Sequence, residues 1–123
     1  MKNDIESRAD IEHLVNTFYS KVKRDDLLAP FFGKVAKIKW KEHLPIMYDF
    51  WENAVFHTGT YHGNPMQIHR QLSEKKTLTS IHFKRWIDLF VLTADDLYEG
   101  KNVESIKQRA ISIATVMQIK LIS

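Results

Sequence analysis

Apolar residues recur at intervals of three and four along most of this chain. The clearest series is Ile11, Leu14, Val15, Phe18, Tyr19 and Val22. A helix turns once in about 3.6 residues, so this spacing gathers the side chains into one stripe. It predicts a helix from about residue 8 to 24, with Ser7 or Asp10 as its N-cap. Only four glycines and three prolines occur in 123 residues, nearly all where a helix would begin or end. That scarcity argues against a many-turned β fold and for an all-helical one.

The same reading extends along the chain. The segment from Leu27 to Gly33 is too apolar for a solvated loop and reads as a helical turn or corner against the core. A second helix carries Leu44, Met47, Phe50, Trp51, Ala54 and Val55. Pro45 fits best in its first turn, so anything helical before His43 is expected to be separate or kinked. Asn64-Pro65-Met66-Gln67 opens a short helix that ends near Ser73. Thr79 or Ser80 then caps the strongest helix, with Phe83, Trp86, Ile87, Phe90, Ala94, Leu97 and Tyr98 on its stripe and Gly100 at its end. Asn102 is the expected cap of the last helix, which turns Ile106, Ala110, Ile113, Met117 and Leu121 inward. The sequence is read as one all-α domain over residues 1–123, with four substantial helices and two short ones.

Composition narrows the function classes. No cysteine is present, so disulfide frameworks, thiol catalysis and thiolate zinc sites are excluded. The longest apolar run, Leu89 to Leu92, is far short of the roughly 20 residues a membrane helix requires, and no secretory signal opens the chain. A cytoplasmic protein that binds neither membrane nor nucleic acid is the expectation. The net charge is +3, and the densest basic patch is Lys34, Lys37, Lys39 and Lys41. That patch reads as a solvated face or, less simply, as a phosphate site.

There is no glycine-rich phosphate loop, serine elbow or carboxylate pair spaced for acid/base work. None of the six histidines forms a helix-borne zinc or di-iron signature. His69 has Met66 three residues before it and Leu72 three after, so an imidazole sits within an apolar face. It reads either as a core histidine satisfied by a carbonyl or as a single axial ligand to iron in an apolar slot. His43 shares a helix face with Met47, Phe50 and Trp51. Tyr19 and Trp86 lie in the apolar stripes of their own helices. These three polar handles either find separate carbonyl partners or converge on one polar ligand.

Taken in order, several segments resemble the group III truncated haemoglobins. They are Phe18-Tyr19, Ala29-Pro30-Phe31-Phe32, Trp40-Lys41-Glu42-His43 and Asp49-Phe50-Trp51. Gly59-Thr60-Tyr61-His62-Gly63-Asn64-Pro65, His69, Phe83 with Trp86, and Gln108-Arg109-Ala110 continue the likeness. The glycine pairs typical of the other two truncated groups are absent.

The resemblance implies a globin-like fold of helices packed two over two around haem b. His69 matches the proximal iron ligand. Tyr19, His43 and Trp86 match the polar distal residues that stabilise a ligand. Phe32, Met47, Phe50, Trp51, Met66, Leu72 and Trp86 are then the cofactor-binding set. Haem propionates would find cations among Lys34, Lys37, Lys39, Arg70, Lys75 and Lys76. The implied function is binding of O2, CO, NO or peroxide at a pentacoordinate iron, for chemistry on those ligands or for sequestering them. The expected protein is a monomer with an unidentified reductase as a partner. Simple O2 storage or carriage, and a non-haem helical interaction domain, are the alternatives. No dedicated catalytic motif decides whether it is an enzyme.

Overall fold

The computed structural model describes residues 2–29, 40–56 and 79–122. They build four helices: α1 (Arg8–Val22), α2 (Trp40–Phe56), α3 (Ser80–Leu97) and α4 (Lys101–Ile122). No strand occurs among the described residues. Helix α1 packs against α2 and α3, while α4 packs against α2 and α3. The contacts His13 with Tyr98, Phe18 with Phe90 and Asp25 with Arg85 show that α3 runs antiparallel to α1.

Every residue of the α1 stripe is buried, from Ile11 to Val22. Ser7 takes the N-cap position, and Asp10 accepts the N–H of Glu6 instead of capping. The core continues with Met47 and Trp51 of α2, Phe83, Phe90 and Ala94 of α3, and Val103, Ile106, Ala110 and Ala114 of α4. On α3 the observed buried set differs from the expected stripe. Leu89 and Thr93 are buried, while Trp86, Ile87 and Leu97 are partly so. Thr93 keeps its hydroxyl satisfied by donating to the Leu89 carbonyl at 2.7 Å.

Two local expectations require correction. Helix α2 is continuous from Trp40, with Pro45 inside it and not in the first turn. Proline removes the donor that the Lys41 carbonyl would use, but this lies near the helix start, where burial of Met47 and Trp51 supports the following turns. The last helix is capped from a distance. Asn102 lies inside α4, and Asp4 supplies the cap: its Oδ2 accepts the Asn102 N–H at 2.8 Å and its Oδ1 the Val103 N–H at 2.9 Å. Asn102 instead donates through Nδ2 to the Ile5 carbonyl. Ile5 is fully buried, so the N-terminal segment is part of the core.

Thr79, and not Ser80, caps α3. Its N–H donates to Nδ1 of His82 at 3.1 Å, and its hydroxyl lies 2.9 Å from the same nitrogen. The first α1 turn is tied to α2 by Arg8, whose Nη1 donates to Asp49 at 2.8 Å and Glu52 at 2.9 Å. The expected short helix ending near Ser73 lies outside the described residues, as do the Met117 and Leu121 side chains.

Candidate functional site

Three helices bring their aromatic side chains to one interior. Phe18 on α1 is the nearest thing to a hinge pin between them. Its ring lies 5.0 Å from that of Tyr19, 5.5 Å from the Trp86 indole and 5.1 Å from Phe90. Phe90, fully buried on α3, stacks on Trp86 at 5.7 Å and on Trp51 of α2 at 5.0 Å. Phe50 meets Trp51 edge-on at 4.8 Å. The i, i+4 spacing of Trp86 and Phe90 puts both rings on one face of α3, and their offset-stacked geometry is one that ring quadrupoles favour.

Within this setting Tyr19 is only 6% exposed. Burial pushes its phenol well above the ordinary value, so the hydroxyl keeps its proton throughout the physiological range. Trp86 carries the other polar handle, an indole N–H that can only donate. Phe18 therefore touches both side chains of this interior that carry a hydrogen-bond donor, Tyr19 and Trp86. Met47 is buried on the α2 face shared with Trp51, and Phe50 is partly buried beside it.

Of the residues expected from sequence, Tyr19, Trp86, Trp51, Phe50 and Met47 thus gather around one aromatic interior. His43 lies on α2 four residues before Met47, on the same side of the helix by spacing, and its side chain lies outside the described residues. His69, Phe32, Met66 and Leu72 lie outside them as well, as do Lys34, Lys37, Lys39, Arg70, Lys75 and Lys76.

Two features of this interior were not anticipated. Phe90 touches Phe18, Trp51 and Trp86, yet periodicity marks it only as one more stripe residue. The second is the Asp25–Arg85 ion pair at 2.6 Å, which joins the turn after α1 to α3 immediately before Trp86. Its partners are 60 residues apart, beyond any local pattern.

Part of the apolar surface beside this interior is left incompletely buried. Leu44, Phe50 and Val55 of α2 and Trp86 and Ile87 of α3 are apolar, only partly buried, and packed against the core. Such side chains can bury further area against a macrocycle, at about 25 cal/mol per Å2 of apolar surface removed from water. Among the described residues no cluster of three or more histidine, cysteine, aspartate or glutamate side chains could hold a bare metal ion. None of the described helices is long and apolar enough to cross a membrane.

No protein-family profile matches the chain. It is 30% identical to the group 3 truncated hemoglobin ctb of Campylobacter jejuni, over 96% of this chain and 93% of that protein. Its fold superimposes on the crystal structure of the group III truncated hemoglobin from Campylobacter jejuni with a TM-score of 0.84 and 29% identity. That match covers 98% of this chain and 95% of the other.

Proposed function

The chain belongs to the group III truncated haemoglobins, and from that premise we propose that it binds haem b and uses a polar distal pocket to hold diatomic ligands. The His69 imidazole would hold the haem iron, and the haem would supply reversible binding of O2, CO or NO and chemistry with peroxide. The observation that carries the reading is the Tyr19 hydroxyl, buried and protonated beside Phe18, whose ring also meets the Trp86 indole.

Each residue has a role in this account. Tyr19 and Trp86 donate hydrogen bonds to the end of a ligand that gains partial negative charge, with His43 as a third donor from α2. Trp51, Met47 and Phe50, with Phe32, Met66 and Leu72, exclude water from the faces of the macrocycle. A pocket with three donors favours O2 over CO and slows O2 loss, which suits chemistry or sequestration better than delivery. The domain works as a cytoplasmic monomer that takes reducing equivalents from a separate reductase. Membership of a globin family leaves little ground for the non-haem interaction domain.

Absorption and resonance Raman spectra of the ferrous, ferric and CO-bound protein test the proposal. A Soret band and a five-coordinate ferrous form are expected. His69→Gly should lose most haem, or hold it only with added imidazole. Full haem retention with unchanged spectra would move the ligand to another histidine, with His62 next to be substituted. A protein that takes up no haem contradicts the reading altogether.

A further inference from the structure

The Asp25 carboxylate is unusually committed for a group in a turn. Its side chain is 6% exposed, and its Oδ2 accepts from Nε of Arg85 at 2.6 Å. Its Oδ1 accepts the N–H groups of Leu27 and Leu28, each at 3.1 Å. Burial by itself would raise its pKa, but the Arg85 hydrogen bond and the backbone donors outweigh that and hold it below the ordinary carboxylate value. A turn cap needs only the oxygen that faces Leu27 and Leu28, which asparagine or serine could also offer. Burying a charge is costly unless it is paired, so the second oxygen and its arginine call for a separate account.

That account lies in what the pair joins. The turn holding Asp25 continues α1 without a loose joint: Lys23 donates to the Tyr19 carbonyl at 2.9 Å and Asp25 to that of Val22 at 3.1 Å. On the other side, Arg85 directly precedes Trp86 on α3. Inside the molecule the same two helices meet through Phe18 and Trp86. Apolar contact alone tolerates small slides between helices, whereas a short charged hydrogen bond has a fixed length and direction.

We propose that Asp25 and Arg85 are positioning residues that keep the Tyr19 hydroxyl and the Trp86 indole N–H in register as a pair of donors. The inference rests on the proposal that both side chains donate to a ligand in the distal pocket. Because Arg85 is about half exposed, its effect is moderated by solvent.

The test uses the haem-loaded protein and the variants Asp25→Asn, Arg85→Met and Arg85→Lys, with Trp86→Phe alongside. Two quantities are read: O2 and CO release by stopped flow, and the Trp86 indole resonance of the CO form in 1H–15N spectra. Asp25→Asn and Arg85→Met should each speed O2 release about two- to fivefold, the range a part-exposed ion pair supports. CO release should change less, the indole resonance should move, and Arg85→Lys should restore both. If the first two variants lose thermal stability but keep the parent O2 release and indole resonance, the pair only clamps the fold and the inference is overturned. If Trp86→Phe releases O2 at the parent rate, the donor reading has failed instead. The indole resonance of Asp25→Asn then still decides the positioning role, and an unmoved resonance rejects it.

Discussion

The Phe18 ring meets the Trp86 indole edge-on, with 5.5 Å between centroids and 89° between planes. The residue beside Tyr19 therefore touches the α3 indole directly. Phe90 completes this arrangement, because it touches Phe18, Trp86 and Trp51 and so joins three helices through one ring.

Phe90→Ala should accordingly cost about 3–5 kcal/mol in urea unfolding, the usual penalty for emptying a buried phenylalanine site. Phe90→Leu should cost much less. Equal, small losses for both would mean that Phe90 is not the hub its contacts imply.

The start of α4 makes a second case. Gly100 has φ of 144°, and a Cβ there would lie 2.5 Å from Cγ of Asp4. Gly100→Ala should therefore destabilise by about 1–3 kcal/mol, through strain and by displacing the cap. Asp4→Ala should cost about 1–2 kcal/mol, since three backbone N–H groups lose their acceptor. Unfolding midpoints that match the parent in both variants would show that α4 does not depend on the N-terminal segment.

Acid titration tests the same cap. Burial opposes ionisation of Asp4, but the N–H groups of Asn102, Val103 and Ile5 outweigh it and lower the pKa from 3.8. A carboxylate whose pKa is lower folded than unfolded contributes fully above the unfolded value and loses that contribution as pH falls through the folded one. The stability difference between parent and Asp4→Asn should thus be constant above about pH 5 and shrink below pH 3.8. A difference that grows on acidification contradicts the assignment.

At high pH the tyrosines act with the opposite sign. Burial raises Tyr19, and burial followed by the Asp10 charge and hydrogen bond pushes Tyr98 up to about 12. Both phenols keep their protons when folded, so stability should fall as pH rises above about 10, where the unfolded chain releases them. Tyr98→Phe should flatten part of that loss. Denaturant midpoints measured from pH 8 to 12 check it.

Much of this was legible in the sequence. The stripe from Ile11 to Val22 is long, strictly spaced and buried on one side, so periodicity alone located α1 and its inward face. Tyr19 and Trp86, with His43, stood out because side chains with a polar handle on such stripes must find partners. The misses have a common cause. Asp4 caps Asn102 and Val103 from 98 and 99 residues away, and Asp25 pairs with Arg85 across 60. No local pattern carries such information. Pro45 differs for another reason: its effect on an isolated helix is offset here by the tertiary burial of Met47 and Trp51.

The central claim, that Tyr19 is a distal donor in a haem pocket, is tested most directly by the O2 dissociation rate of the haem-loaded Tyr19→Phe variant, with CO dissociation measured beside it. A hydrogen bond to a partly charged ligand is worth about 1.5–3 kcal/mol, so O2 release should quicken by about tenfold to over a hundredfold. CO, which gains less charge, should leave at nearly the parent rate. O2 release unchanged from the parent, or O2 and CO release quickened equally, would contradict the account.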